Sequence, residues 1–150
     1  MITFKQGDIF QEDVEAVVNT VNTVGVMGKG LALAFKNKFP ENNKHYADAC
    51  RNNHVVTGEM FVVSLINRGK LRYIVNFPTK QHWRNPSQIE WIADGLKDLR
   101  QFILSSGISS IAIPALGVGL GGLQWSSVKE LIRVELEDLN HVEIIVLEPQ

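Results

Sequence analysis

The sequence predicts an α/β domain in which a mixed sheet lies between helices. Short apolar runs read as strands: VEAVVN (Val14–Asn19), which has the near-continuous pattern of a strand buried on both faces, and MFVVSL, LRYIVNF and VEIIVL further on. Between them lie stretches whose apolar residues recur every three or four positions, as in amphipathic helices. Twice an apolar strand passes through a glycine-rich loop into a helix, at Gly25–Gly30 and again at Gly117–Gly122. Strands alternating with helices in this way favour the α/β class.

The elements follow in order. Met1–Gln6 alternates as an edge strand does, and Gly7-Asp8-Ile9 turns out of it. The strand Val14–Asn19 leads to the first glycine loop, then to a helix over Leu31–Lys38 stopped by Pro40. Glu41–Arg51 reads as a second helix with Tyr46, Ala49 and Cys50 on its apolar side. Met60–Leu65 and Leu71–Phe77 read as a hairpin around Asn67-Arg68-Gly69-Lys70, whose Asn and Gly supply positive φ. Pro78–Pro86 (PTKQHWRNP) reads as a loop. Ser87 with Glu90 forms a capping box for a helix to about Ser105, burying Ile89, Ile92, Ala93, Leu96, Leu99 and Ile103. Ser110–Ile113 is the next strand, Ser127 with Glu130 caps the last helix, and Val142–Leu147 completes the sheet.

At 150 residues and 45% hydrophobic content, the chain fits one domain, 1–150, with a sizeable core. Fifteen basic residues against sixteen acidic give a net charge of -1, so nucleic acid is not held by charge alone. One cysteine, Cys50, excludes an internal disulfide framework and fits a reducing compartment. The N-terminal MITFKQGDIF is too polar for a signal peptide, and no apolar run is long enough for a bilayer. These features give the expectation of a soluble, cytoplasmic domain. His45, His54 and His141 show no metal-ligand spacing, so neither a metal nor a cofactor is expected.

A glycine loop opening onto a helix N-terminus presents free N–H groups and the positive end of the helix dipole, a geometry suited to phosphate. Two such loops suggest two sides of one cleft for a phosphorylated ligand. The first is not a Walker motif, since Gly28-Lys29-Gly30 lacks the spacer and the following Ser/Thr, and its glycine rhythm is not the dinucleotide fingerprint. Asn19 and Asn22 read either as caps of the strand–loop junction or as amides that bond a sugar hydroxyl. Asp8 reads as an Asx-turn or as an acceptor for an exocyclic amine. In PTKQHWR, Lys80 stands near His82 and Arg84, where crowding by cations and partial desolvation would turn it into a nucleophile. Trp83 offers a face to a base and Arg84 a partner for phosphate. The alternative for the whole segment is a solvated basic loop. Paired carboxylates for ordinary glycoside hydrolysis are missing from both glycine loops.

GDIF near the start, NTVNTVGVMGKGLALAFKNKFP, NFPTKQHWR and IPALGVGLGGLQW, in this order over essentially the whole chain, resemble a macro domain, the ADP-ribose-binding α/β/α module. The combination of NTVNTVGVMGKG with FPTK-HWR resembles most the DarG type, the antitoxin that removes the ADP-ribose a DarT toxin attaches to thymidine in single-stranded DNA. The resemblance implies a three-layer α/β/α fold with a central mixed sheet and hydrolysis of that ADP-ribose linkage. ADP-ribose would be ligand and product. Asp8 and Ile9 would hold the adenine. Asn22, with Gly28, Lys29 and Gly30, would face the distal ribose. The run Leu116, Gly117, Val118, Gly119 and Leu120 would wrap the diphosphate, and Asn19, Leu31, Pro114 and Gly121 would also meet the ADP-ribose. Lys80 would be catalytic, and His82, Trp83 and Arg84 would meet the DNA. The implied partners are ADP-ribosylated single-stranded DNA and a cognate DarT-type toxin, with no membrane. A human relative of the same branch carries aspartate where this chain has Gly121, so the acid that residue supplies is dispensable here or comes from elsewhere. Full DarG proteins carry a second, toxin-binding domain, so the chain is expected to be an isolated domain or a stand-alone form. The alternatives are hydrolysis of ADP-ribose esters on protein carboxylates or O-acyl-ADP-ribose, and a reader without turnover.

Overall fold

A computed structural model describes residues 1–150. Six strands form one sheet: β1 (Ile2–Lys5), β2 (Ala16–Asn22), β3 (Phe61–Ser64), β4 (Tyr73–Lys80), β5 (Ser110–Ile113) and β6 (Glu143–Leu147). Their order is β1-β6-β5-β2-β4-β3. All neighbours are parallel except β3, which pairs antiparallel with β4 at the edge. Four helices complete the chain: α1 (Gly30–Lys38), α2 (Pro40–Arg51), α3 (Ile89–Ser106) and α4 (Trp125–Leu136).

Alternation along β2 assigns the layers. Ala16 and Val18 join Val75, Phe77, Ile111 and Ile144 in a core closed by Ile92, Leu96, Leu99 and Ile103 of α3 and Val128, Ile132 and Leu136 of α4. On the other face Val17, Ile74 and Ala112 meet Phe35 of α1, and Val21 meets Tyr46, Ala49 and Cys50 of α2. The sheet is therefore covered on both sides, which is why its strands read as continuous apolar runs. The structure is the expected three-layer α/β/α arrangement with a mixed central sheet.

Several boundaries differ from expectation for identifiable reasons. β4 does not end at Phe77 but continues through Pro78 and Thr79 to Lys80, beside Val21 and Asn22 of β2. Proline is tolerated there because β3 begins only at Phe61, opposite Asn76, leaving β4 a single partner beyond that point. Neither expected capping box forms. Gln88 and Gln124 occupy the caps of α3 and α4 without side-chain bonds, and Ser127 lies inside the first turn of α4. The last strand, β6, is interior, lying between β1 and β5. The expected hairpin turn between β3 and β4 is present, with Asn67 at φ +60° and Gly69 at +64°.

Polar groups also enter the core. Asn19 of β2 donates to Asn76 of β4 at 3.3 Å, and Asn76 exchanges bonds of 3.1 and 2.8 Å with Asn42 of α2. This run of amides fastens α2 to the sheet. On the opposite face α3 sits close to β4 because Gly95 has no side chain: a Cβ there would overlap the Phe77 ring. Gly95→Ala should therefore destabilise the fold by about 1–3 kcal/mol through overpacking, although alanine is the better helix former. Chemical denaturation measures the outcome directly.

Candidate active site

Five parallel strands point their C-terminal ends to one edge, where open α/β sheets bind ligands. β2 delivers Asn22 there, β4 delivers Lys80, and β5 opens into the second glycine loop at Pro114. Asn22 and Lys80 are register partners, so the first loop and the lysine leave the sheet side by side. Between them and the second loop lies a cavity of about 820 Å³.

One carboxamide shapes the first loop. Asn22 Oδ1 accepts from the N–H groups of Val24, Gly25 and Val26 at 3.1, 3.1 and 3.3 Å, and its Nδ2 donates to the Val26 carbonyl at 2.8 Å. From below, the Tyr46 hydroxyl lies 2.8 Å from both Oδ1 and the Asn22 carbonyl. Gly25 (φ +93°) rests on Cys50, where a side chain would have its Cβ 3.3 Å from the Cys50 Cβ. The chain then runs along the cavity wall through Gly28, Lys29, Gly30 and Leu31. No side chain caps α1, so the N–H groups of its first turn remain available to a ligand.

The second loop is held by its own backbone. Leu123 N–H donates to the Gly117 carbonyl at 2.9 Å and Gly122 N–H to Gly119 at 3.1 Å. Gly117, Gly119 and Gly122 all have φ near +70° to +78°, a region costly for other residues. Pro114, Gly117, Val118, Leu120 and Gly121 line the cavity. Leu120, 67% exposed, reaches across so that its Cδ1 lies 3.6 Å from where a Gly30 Cβ would stand.

Lys80 lies half-buried on the cavity wall, and its Nζ donates to the Trp83 carbonyl at 3.3 Å. Burial lowers its pKa below the ordinary lysine value. Of the two effects expected from the sequence, the cause is desolvation and not crowding by His82 and Arg84. Those two are engaged with Trp83: the His82 ring stacks on the indole at 5.2 Å and the Arg84 guanidinium sits 4.7 Å over it. Arg84 N–H also donates to His82 Nδ1 at 3.1 Å. Trp83 and Arg84 line the cavity, while His82 stands behind them. No carboxylate or imidazole lines the cavity.

Five expected residues besides His82 lie apart from the cavity wall: Asn19, Leu116, Asp8, Ile9 and Gly119, the last in the short turn of the second loop. Asn19 is fully buried in the amide run beneath the first loop. The Leu116 side chain is buried in the core and roots the second loop from below. Asp8 and Ile9 follow β1 at the same sheet edge but outside the lining; Asp8 Oδ1 accepts from Phe10 N–H at 2.9 Å, an Asx-turn, and the Ile9 side chain is buried. Sequence reading missed Thr20, Val21, Val26, Ala32, Thr79 and Ala115, which do line the cavity. Thr79 was hidden by ending its strand three residues early, at Phe77. No three His, Cys, Asp or Glu side chains cluster as a metal site would require, and no helix is long and apolar enough to cross a membrane.

The macro domain family model matches residues 18–132, a span that holds both glycine loops and Lys80. The chain belongs to the macro domain family. Its likeness to DarG is high throughout. It is 50% identical over 149 residues to the DNA ADP-ribosyl glycohydrolase of Thermus aquaticus and 46% identical over 149 residues to that of Mycobacterium tuberculosis, in each case over 99% of this chain. It spans only 41% and 42% of the length of those proteins. The solved macrodomain of Thermus aquaticus DarG superposes with a TM-score of 0.95 at 50% identity, covering 99% of both chains. Thermosipho africanus DarTG, solved in complex with ADP-ribose, superposes with a TM-score of 0.86 at 37% identity, covering 95% of this chain and 40% of that one.

The first loop depends on Asn22, so Asn22→Ala should remove amide protection at Gly25 and Val26 in hydrogen exchange while the sheet amides keep theirs. Stability should fall by about 1–3 kcal/mol, the cost of leaving enclosed partners unpaired. Tyr46→Phe, which leaves the carboxamide in place, should show the smaller effect of the two.

Proposed function

We propose that this chain is the catalytic module of a DNA ADP-ribosyl glycohydrolase, releasing ADP-ribose from thymidine in single-stranded DNA. The observation that carries the reading is Lys80: a desolvated amine, without any carboxylate partner, on the wall of a cavity flanked by two glycine loops. The likeness to DarG proteins supports the choice of substrate. A reader of ADP-ribose has no need of such an amine.

Each part of the cavity has a chemical task in this reading. The N–H groups at the start of α1 and along Gly117–Gly121 bind the ribose and the diphosphate. Asp8 and Ile9, at the same sheet edge, take the adenine. Neutral Lys80 attacks the anomeric carbon of the ribose joined to the base. The bond to the base breaks, its electron pair leaves with the base, and the base takes up a proton. Water then displaces the lysine nitrogen, frees ADP-ribose and restores the amine. With no acid or base on the wall, Lys80 itself must arrive deprotonated, and burial prepares it for that. Trp83, His82, Arg84 and Lys29 form a local aromatic and cationic rim for the DNA strand. With a net charge of -1, unmodified DNA gains little beyond that rim, so affinity rests on the ADP-ribose. A DarT-type toxin is the partner whose product this activity removes, and a chromosomal substrate sets the work in the cytoplasm.

The test is release of ADP-ribose from an oligonucleotide ADP-ribosylated on thymidine. Lys80→Ala should lose at least about 100-fold in rate and keep ADP-ribose binding. The wild-type rate should climb with pH, because the neutral amine is the reactive form, and should level off below the ordinary lysine pKa of 10.5. Release by both proteins alike would remove Lys80 from the chemistry. Binding of ADP-ribose by both with release by neither would leave a reader, or an enzyme for another linkage.

A further inference from the structure

Ser87 precedes α3, where a serine ordinarily caps the helix, yet its hydroxyl does no such work. The side chain turns instead beneath the second glycine loop. It is 4% exposed, and its Oγ is enclosed without a hydrogen bond to the protein. Its main-chain N–H donates to the Gly121 carbonyl at 3.0 Å. A Cβ built on Gly121 would stand 2.7 Å from Ser87 Oγ, and Cβ atoms built on Gly117 and Gly121 would each stand 3.3 Å from the Ser87 Cβ. The hydroxyl is thus pressed against two glycines that line the cavity.

An enclosed hydroxyl left unpaired is costly, and here it faces the segment that the ADP-ribose reading assigns to the diphosphate. We propose that Ser87 is a positioning residue for that loop: its hydroxyl donates to a loop carbonyl when the loop turns its N–H groups toward the diphosphate of bound ADP-ribose. A trans peptide points its N–H and C=O in opposite directions. Each loop peptide that offers its N–H to the cavity therefore sends its carbonyl to the rear, where Ser87 stands. The glycines give the loop freedom to make that turn. The Gly121 carbonyl, already bonded to the Ser87 N–H, keeps a second lone pair for the hydroxyl. Because the bond forms only in the occupied state, its strength appears in ligand affinity.

Ser87→Ala removes the hydroxyl and little else. Titration calorimetry should show ADP-ribose affinity falling about 2- to 12-fold, the range of one neutral hydrogen bond. ADP, which keeps the diphosphate, should lose the same factor. The melting temperature of the ligand-free variant should equal or exceed that of wild type, and in turnover the loss should lie in KM. Equal affinities in variant and wild type would overturn the role of Ser87, as would a loss confined to ADP-ribose. A lower ligand-free melting temperature would also overturn it, by showing that the hydroxyl serves the free fold. If wild type itself fails to bind ADP-ribose, the ADP-ribose reading falls and this role with it; if wild type binds and the variant matches it, only Ser87 is reassigned.

Discussion

The pairing of β2 with β4 fixes the geometry on which the cavity depends. Parallel strands that share a register must end together, so Asn22 and Lys80 emerge as neighbours. From that point each strand contributes a different kind of group. β2 supplies a carboxamide that folds the first loop around itself, and β4 supplies an amine on the wall. The loop cannot drift from the lysine without breaking the ladder beneath both. Thr23 adds a second tie across the same gap, its hydroxyl and N–H both directed to the Gln81 carbonyl at 2.8 and 3.3 Å.

The cavity is unusual in the way its charge is distributed. Its polar equipment is mostly backbone: unpaired N–H groups at a helix start and along a glycine loop, with cationic side chains at Lys29, Lys80 and Arg84. Anionic groups are excluded from the wall. In the proposed reading, such a site stabilises phosphate oxygens with dipoles fixed in advance and leaves proton handling to one residue. Desolvation, which would penalise a carboxylate and lysinium alike, here favours the neutral form of Lys80.

Much of this was legible in the sequence, and the exceptions are instructive. The α/β class, the buried face of α3 and both glycine loops followed from periodicity and glycine placement, because those signals are local. The end of β4 was missed because proline usually closes a strand, and only the shortness of β3 permits it to continue. The caps failed for a related reason. Ser87 has the right spacing from Glu90, but the second loop, distant in sequence, claims its side chain. Asn19 and Asn22 looked alike as short amides at the junction of strand and loop. Their separation into a core amide and a loop organiser depends on Asn76, Asn42 and Tyr46, partners that local pattern does not reveal. Of the two effects expected to lower the Lys80 pKa, desolvation acts and crowding by cations does not, because the directions in which His82 and Arg84 point depend on packing around Trp83 that the sequence does not reveal.

The order of strands in the sheet also carries a consequence for biosynthesis. β1 leaves the ribosome before the other five strands, yet its only partner is β6, where Ile2 pairs with Ile144. The first strand stays single until β6 has been translated, after the other four strands. Hydrogen bonding in that half of the sheet therefore waits for the synthesis of β6. Until then β1 is an unsatisfied edge that a chaperone, or a second nascent chain, can occupy.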